Sequence, residues 1–257
     1  MENTVCFELE VPPSHTASQQ RADMVSILEM FNQVARKAGD YYDAERDILR
    51  EENLVWVLLN WDVEVSRYPT AGERCVVKTI AHTMDRFVAY REFFVLEPLG
   101  KILARGKSRW ILLNLELRKP VAAKPYMWEL YGVKERSIPF EIANPPKVCS
   151  PEWLVEVSPA EKDFDEYGHV HNVSYVRWIL DCLEDAIPEP REMERLEILF
   201  RKEITDPAPV HVKSQRLFFS ATAAKLGHSI LDHHGQVLVN AITHWVFPRG
   251  SKGEKAF

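Results

Sequence analysis

Hydrophobic positions recur at helical spacing in two segments of this chain of 257 residues. In the first segment, 22–38, apolar residues return every three or four positions, which indicates a helix with one buried face. They are Met24, Ile27, Met30, Phe31, Val34 and Ala38. The second segment, 172–186, is apolar on nearly all sides, which is typical of a helix buried within a fold. Gly39 and Pro188 are the predicted stops of these helices.

Segments rich in β-branched and aromatic residues surround the two helices and are separated by turn residues. They predict strands at 7–11, 54–65, 74–81, 87–96, 102–117, 153–157, 196–205, 210–220, 221–232 and 237–247. Each half therefore has the order strand, helix, four strands. An α+β fold, with one long helix against an antiparallel sheet, satisfies that order. A curved sheet wrapped around the helix accounts for the burial of the second helix.

The two halves also align with each other. Superposing Glu10-Val-Pro-Pro13 on Glu156-Val-Ser-Pro159 superposes the helices without a gap, and each half ends in a tryptophan-containing strand. We therefore predict an internal duplication, with chance similarity of two amphipathic helices as the alternative. The predicted divisions are an N-terminal repeat at 1–125, a linker at 126–148, a C-terminal repeat at 149–250 and a tail at 251–257.

Composition limits the class of protein. With 46% hydrophobic residues and a formal net charge of -6, the chain suits a soluble globular protein without general nucleic-acid binding. No run of about 18 apolar residues predicts a membrane span, and the acidic start does not resemble a secretory signal. Four scattered cysteines are then interpreted as reduced thiols of a cytoplasmic protein.

The residues with the clearest chemistry lie where the second helix begins. Asp165, Gly168 and His169 precede the helix start at Asn172. A helix N-terminus offers unpaired N–H groups and partial positive charge, which suit a developing oxyanion beside a general base. Each residue also has a structural interpretation: Asp165 as a helix-entry carboxylate, His169 as a hydrogen-bonded histidine. Asn172 is predicted to cap the helix rather than to act in catalysis.

This segment and the order of elements resemble the acyl-ACP thioesterases of plants and many bacteria, which carry two tandem hotdog repeats in one chain. The family motif has the form Asp-x-Asn-x-His-Val-Asn-Asn-x-x-Tyr at the entry to the second central helix. The matching residues here are Asp165, His169, Val170, Asn172 and Tyr175. A second family motif, a basic pair followed by glutamate, is similar to Phe200-Arg-Lys-Glu203.

Three positions depart from the family pattern. Tyr167 replaces the asparagine between the aspartate and the histidine, and His171 replaces the first of the two later asparagines. Ile204 replaces the cysteine that follows the glutamate in plant members. Tyr167 either donates its hydroxyl where the family uses an amide or points away and leaves a slower enzyme.

The resemblance implies hydrolysis of fatty acyl-ACP thioesters to free fatty acid and holo-ACP, without a cofactor, by Asp165, His169 and Glu203. Our hypothesis is that Glu203 polarises the attacking water or attacks directly, His169 exchanges protons, and Asp165 orients the water or the histidine. Backbone N–H groups at 168–170 are predicted to bind the thioester oxygen, with Gly168 permitting close approach. From its strand pattern alone, Glu203 is instead a solvent-facing residue.

The first half of the chain lacks residues equivalent to Asp165, Gly168 and His169. The ungapped alignment places Asp165 on Gln19, Gly168 on Ala22 and His169 on Asp23, so one active site per chain is expected. The resemblance implies that the first repeat supplies much of the acyl-chain pocket. Candidate wall residues, for which ordinary core packing is the alternative, are Met30, Phe31, Trp56 and Leu58.

Other chemistries find little support in the sequence. On a strand, the pattern of His169 and His171 would place both rings on one side, near Asp165, as a metal site needs. At a helix entry the two rings do not share a side, and the remaining histidines lack the spacing of metal ligands. Neither a G-x-S-x-G elbow nor a nucleotide-binding glycine pattern occurs. The open alternatives are an acyl-CoA or aryl-CoA thioesterase of the same fold, and a non-catalytic acyl-binding protein.

The expected partner is acyl carrier protein, which is strongly acidic and would meet a basic rim at the site. The candidate basic residues are Arg177, Arg201, Lys202, Lys213 and Arg216, with a solvated face of mixed charge as the alternative. The resemblance mildly favours a homodimer, although two repeats already form a pseudo-dimer.

Overall fold

A computed structural model describes residues 3–11, 21–42, 49–133, 138–165, 168–184, 186–187 and 191–247. The chain divides into two compact units, Met1–Ala143 and Asn144–Phe257. None of the described helices has the length and apolar character needed to cross a membrane. The predicted tail, 251–257, lies outside the described residues.

The first unit contains one long helix and an antiparallel sheet. Its elements are β1 (Thr4–Glu10), α1 (Met24–Tyr41), β2 (Leu54–Val65), β3 (Arg74–Met84), β4 (Val88–Leu96), β5 (Ile102–Asn114), β6 (Lys119–Pro120) and α2 (Pro125–Leu130). The main strands pair in the order β1-β3-β4-β5-β2, and β6 pairs with β5. Helix α1 packs on β1, β3 and β4.

The second unit repeats this arrangement. Its elements are β7 (Trp153–Val157), a 3-10 turn (Glu161–Asp163), α3 (Asn172–Cys182), β8 (Glu192–Phe200), β9 (Val210–Phe219), β10 (Ala223–Leu231) and β11 (Val237–Val246). The strands pair in the order β7-β9-β10-β11-β8, and α3 packs on β7 and β9. The α+β prediction, with a long helix against an antiparallel sheet, is therefore confirmed.

Individual hydrogen bonds recur at matching places in the two units. The indole N–H of Trp110 donates to Ser108 Oγ at 2.7 Å, and that of Trp245 donates to Thr243 Oγ1 at 2.8 Å. Trp110 lies on β5 and Trp245 on β11. These are the two strands that the sequence analysis matched because each contains a tryptophan near the end of its repeat. The duplication thus extends from strand order to side-chain contacts.

The ungapped sequence alignment is wrong by two residues at the helix entry. The N–H of Ala22 donates to the carbonyl of Pro69, and the N–H of Val170 donates to the carbonyl of Ile204, each at 2.9 Å. Ala22 therefore corresponds to Val170 rather than to Gly168. Both helices then begin at equivalent positions, Met24 and Asn172.

This corrected register changes which residues of the first repeat stand at the site positions. Arg21 now corresponds to His169, and Tyr68, the residue before Pro69, corresponds to Glu203. A guanidinium and a phenol thus stand where the second repeat has an imidazole and a carboxylate. The inference that the first repeat lacks the catalytic set holds in the corrected register.

The first helix forms as its apolar spacing predicts. All six apolar residues named for it are buried, at 0–4% exposure. The side chain of Asp23 caps its start by accepting from the N–H of Ser26 at 2.8 Å, which satisfies one of the free donors of the first turn. Gly39 does not end the helix, which continues to Tyr41.

The second helix is shorter than predicted, because it ends at Cys182 rather than near residue 186. Its buried residues are Val173, Ser174, Tyr175, Val176, Trp178, Ile179 and Cys182. Burial on most sides agrees with the prediction that this helix lies inside the sheet's curve.

The segment predicted as a linker, 126–148, contains regular structure at its start. Helix α2 buries Met127, and Tyr131 follows it into the same core cluster. The boundary between the two units falls later in this segment, between Ala143 and Asn144. The sequence shows no periodicity here, because a helix of six residues is too short to display one.

Two candidate wall residues of the acyl pocket differ in their surroundings. Phe31 is fully buried, with ring centroids 5.6 Å from Trp61 and 5.2 Å from Phe93. A Cβ added at Gly106 would lie 2.5 Å from the Phe31 ring, so glycine permits this close packing. Trp56 is half-buried and donates its indole N–H to the Tyr131 hydroxyl at 2.8 Å.

A buried polar chain occupies the core of the second unit. His228 has no exposed surface, and its Nδ1 and Nε2 lie 2.8 Å from Ser214 Oγ and Thr243 Oγ1. Ser214 Oγ lies 3.6 Å from Cys182 Sγ on α3. Burial lowers the pKa of His228 from 6.5 to about 3, because a charged ring loses its hydration there.

We expect His228 to make the fold sensitive to acid. Below about pH 6.5 the histidine is protonated in the unfolded chain but stays neutral in the folded protein. The free energy of unfolding therefore falls as the pH drops from about 6.5 toward 3. The slope from this one group is up to about 1.4 kcal/mol per pH unit. Urea unfolding at a series of pH values measures it. His228→Gln should be less stable at pH 7 and lose less stability on acidification, and an equal acid slope in both proteins would contradict this role.

Candidate active site

A short loop positions Asp165 and His169 ahead of α3. The N–H of Asp165 donates to the carbonyl of His169 at 2.8 Å, and the N–H of Gly168 donates to the carbonyl of Asp165 at 3.0 Å. Gly168 has a φ of 76°, a left-handed conformation that favours glycine. The loop is therefore closed on itself by backbone hydrogen bonds. Tyr167 lies outside the described residues.

The carboxylate of Asp165 braces this loop. Its Oδ1 accepts from the backbone N–H of His169 at 2.9 Å. Asp165 therefore orients the backbone that carries the imidazole, which is one part of the role predicted for it.

His169 and Glu203 are brought together from different elements. His169 Nε2 lies 3.6 Å from Glu203 Oε2, and the two side chains are 37% and 47% exposed. An exposed pair at this separation contributes little to stability. Such a spacing is common for catalytic groups before substrate binds. The structure thus places two of the three predicted catalytic side chains side by side and open to solvent.

Glu203 does not lie on a strand, and that prediction is wrong. Strand β8 ends at Phe200, and the N–H groups of Arg201 and Lys202 both donate to the carbonyl of Leu238, at 2.8 and 3.3 Å. Two consecutive donors on one acceptor interrupt the regular ladder, as in a bulge. The chain leaves the sheet here and carries Glu203 to the loop of His169.

The backbone N–H groups of 168–170 are not available for an oxyanion, contrary to expectation. Gly168 donates to the Asp165 carbonyl, His169 to the Asp165 carboxylate, and Val170 to the Ile204 carbonyl. A donor already bonded within the protein adds little to a substrate oxygen. The prediction that these three N–H groups bind the thioester oxygen is therefore wrong.

The start of α3 has no side-chain cap, whereas the start of α1 is capped by Asp23. We call this uncapped end the open start of α3. The N-cap residue is His171, whose side chain makes no capping hydrogen bond, so the prediction that Asn172 is the cap is wrong. Among the described residues, the N–H of Val173 has no acceptor. The buried hydroxyl of Ser174 also has no hydrogen-bond partner there. Buried polar groups without partners are rare and often mark functional sites.

Tyr175 is a further site residue, noted from the sequence only as a motif match. It is 3% exposed, and its ring centroid lies 5.6 Å from that of Phe200 at the end of β8. Its hydroxyl accepts from the N–H of Ile204. Burial raises the pKa of Tyr175 well above its usual value, and the carboxylates of Glu203 and Asp165 raise it further. Tyr175 thus holds the residue that follows Glu203.

We expect Tyr175→Phe to lower kcat about tenfold with little change in KM, because a looser Glu203 loop misplaces the carboxylate. The buried N–H of Ile204 also loses its partner, which should lower the free energy of unfolding by about 1–3 kcal/mol. Steady-state kinetics and urea unfolding measure the two effects. A destabilised variant with unchanged kcat would limit Tyr175 to a structural role.

The predicted basic rim is only partly assembled. Arg216 is paired with Glu152 at 2.6 Å, and Lys213 lines a different cleft, with His211 and Asp232. Arg201 and Lys202 remain next to Glu203. No group of three or more metal-ligating side chains occurs among the described residues.

Two family models match the chain. The acyl-ACP thioesterase N-terminal domain matches residues 6–131, and the acyl-ACP thioesterase C-terminal domain matches residues 153–246. The two matches correspond to the two repeats, and together they cover most of the chain.

Curated relatives are chloroplastic enzymes of plants. Oleoyl-acyl carrier protein thioesterase 1 of Arabidopsis thaliana is 23% identical over 167 residues, which are 60% of this chain and 46% of that protein. A palmitoyl-acyl carrier protein thioesterase of Gossypium hirsutum is 29% identical over 179 residues, 64% of this chain and 42% of that protein. The chain spans about half the length of these relatives.

Two solved structures share the fold over nearly the whole chain. A putative oleoyl thioesterase from Lactobacillus plantarum superposes with a TM-score of 0.85 at 16% identity, covering 95% of this chain and 97% of that one. The 12:0-ACP thioesterase from Umbellularia californica gives 0.82 at 18% identity, covering 95% and 94%. This likeness confirms the tandem hotdog fold.

Proposed function

Because the chain belongs to the acyl-ACP thioesterase family, we propose that it hydrolyses fatty acyl-ACP thioesters to free fatty acid and carrier thiol. The observation that carries this proposal is the contact between His169 Nε2 and Glu203 Oε2, 3.6 Å apart at the open start of α3. Thioester hydrolysis needs an activated water and an oxyanion donor, and this place offers groups of both kinds.

The carboxylate and the imidazole divide the proton transfers between them. Glu203 polarises the attacking water, and His169 protonates the thiolate as it leaves. Direct attack by Glu203 on the thioester is the other route open to the same pair. Asp165 acts one step away, since its carboxylate holds the backbone of His169.

The thioester oxygen is proposed to bind at the start of α3. The N–H of Val173 lacks an acceptor among the described residues, and the helix adds partial positive charge there. In the first repeat the Asp23 carboxylate accepts from both the N–H and the hydroxyl of Ser26, the equivalent of Ser174. In the second repeat the Ser174 hydroxyl has no partner among the described residues. This difference supports placing a single catalytic site in the second repeat.

The remaining assignments rest on the family. The first repeat is proposed to bind the acyl chain, with half-buried Trp56 and Leu58 better placed as walls than fully buried Phe31. Tyr167 is proposed to contact the thioester or the water where the family has asparagine. Acyl carrier protein as the partner, a homodimer and a cytoplasmic location also remain proposals.

Substrate competition tests the proposed reaction. Wild-type protein should release thiol from acyl-ACP faster than from acyl-CoA with the same chain, in a thiol-trapping assay with a series of chain lengths. A preference for acyl-CoA would make the chain a CoA thioesterase of the same fold. Binding of acyl-ACP without thiol release at any chain length would make it an acyl-binding protein.

A further inference from the structure

An open cleft of about 410 Å³ lies beside the residues that lead into Glu203. Its walls are Lys147, Arg201, Gln236, Val237 and Asn240. Arg201 is two residues before Glu203. Residues outside the sheet also contribute, since Lys147 comes from the segment before β7 and Gln236 from the turn between β10 and β11. Three separate parts of the second unit therefore converge on this cleft.

The cleft presents positive charge without a matching carboxylate. Among the described residues, neither Lys147 nor Arg201 forms an ion pair, although several other arginines of the chain do. Lys202 is adjacent, and its charge interacts with that of Asp232. In a chain with a net charge of -6, two unpaired cations facing one cleft favour an anionic ligand.

Buried polar contacts hold the cationic side chain in place. With the amide of Asn240 oriented to satisfy its neighbours, its oxygen accepts from Arg201 Nε at 3.1 Å, and its nitrogen donates to Ser229 Oγ at 2.8 Å. Asn240 is 1% exposed and Ser229 is fully buried. Ser229 Oγ also accepts from the N–H of Val148 at 2.9 Å, which fixes the chain next to Lys147. Nε is thus occupied, and the terminal guanidinium nitrogens remain to face the cleft.

The turn contributes a neutral donor. Gln236 Oε1 accepts from Lys202 Nζ at 2.9 Å, so the amide nitrogen of the same side chain is left as a donor. The backbone N–H of Gln236 bonds Asp232 Oδ1 at 2.8 Å, which holds the turn. A guanidinium, an ammonium and an amide on one cleft match the oxygens of a phosphate group.

We propose that this cleft binds the phosphate that joins the pantetheine arm of the thioester substrate to its carrier. The inference rests on the proposed thioesterase function, because it assigns a second contact to the same substrate. The phosphate would be held by Lys147, Arg201 and Gln236, while the acyl thioester reaches His169 and Glu203. Binding energy gained at the phosphate then positions the thioester for hydrolysis.

Two small substrates that differ by one phosphate isolate this contact. Wild-type protein should have a KM for S-acyl-4′-phosphopantetheine about tenfold or more below that for S-acyl-pantetheine, in keeping with one or two charge-assisted hydrogen bonds. In the double variant Lys147→Gln/Arg201→Gln the two KM values should become equal, because the phosphate then gains no contact in the cleft. The matched control is Lys213→Gln, which removes a lysine from the other open cleft of the same unit.

Carrier substrates separate the two sources of phosphate. The double variant should raise KM for acyl-ACP and for acyl-CoA alike, since both present the phosphate of the arm. A higher KM for acyl-CoA alone would show that the cleft binds the additional phosphates of CoA, and would overturn the proposal. A KM ratio between the two small substrates that is the same in wild type and double variant would also overturn it.

Binding of inorganic phosphate tests the cleft without any turnover. Titration of wild-type protein, followed by NMR shifts of the Arg201 and Gln236 amides, should saturate, and the double variant should show no saturable change. Absence of saturation in wild type would contradict the phosphate site. A protein that binds phosphate here but releases no thiol would leave the site intact and refute only the thioesterase function.

Discussion

Glu203→Gln is expected to lower kcat for acyl-ACP hydrolysis by about 10²-fold or more. The amide keeps the shape of the side chain but cannot take a proton from water, and loss of a general base has an effect of this size. Because Glu203 is 47% exposed and its pairing with His169 is loose, the substitution should leave the free energy of unfolding nearly unchanged. Thiol release under saturating substrate and urea unfolding measure the two quantities.

A second histidine–glutamate pair in the same unit provides a matched control. His211 Nε2 lies 3.4 Å from Glu156 Oε2, and the side chains are 35% and 63% exposed. The pair therefore resembles the site in chemistry and exposure but joins β9 to β7, strands that carry neither His169 nor Glu203. Glu156→Gln should retain wild-type kcat. Equal kcat in Glu203→Gln and wild type would remove Glu203 from the mechanism.

His169→Ala is expected to reduce thiol release to the uncatalysed background. Without the imidazole the departing thiolate has no nearby proton donor, and the partner of Glu203 is lost. The control is His211→Ala, which removes the histidine of the comparison pair. Thiol release by His169→Ala at the wild-type rate would remove the imidazole from the mechanism.

Much of this fold follows from patterns that the sequence displays directly. The three-to-four spacing of α1 and the continuous burial of α3 identified both central helices, because each reflects a packing requirement of the core. β2 and β7 matched their predicted limits, where β-branched runs are bounded by turn residues. The motif residues Asp165 and His169 also lie where the sequence placed them, at the entry to α3.

The errors arose where tertiary contacts decide the geometry. Glu203 alternates with apolar neighbours as a strand residue does, but the shared acceptor Leu238 turns the chain away from the sheet. That bond depends on β11 and leaves no local pattern. The alignment of the two repeats was wrong because it relied on the similarity of residues 10–13 to residues 156–159. The equivalent backbone hydrogen bonds of Ala22 and Val170 require a register that differs by two residues.

The surroundings of Tyr175 and Lys147 could not be predicted from local patterns. The sequence identified Tyr175 only as a motif match, because its contact with the N–H of Ile204 joins it to another element. Lys147 lies in the segment predicted as a linker and is brought beside Arg201 by the bond between Val148 and Ser229. Both cases join residues far apart in sequence, for which spacing gives no signal.

The role proposed for the pair of His169 and Glu203 is hydrolysis of acyl-carrier thioesters. Its most direct test is thiol release from acyl-ACP by wild type, by His169→Gln/Glu203→Gln and by His211→Gln/Glu156→Gln. We predict equal turnover for wild type and the control pair, and background release for the site pair with an unchanged urea midpoint. Turnover by the folded site-pair variant at the wild-type rate would exclude His169 and Glu203 from the reaction.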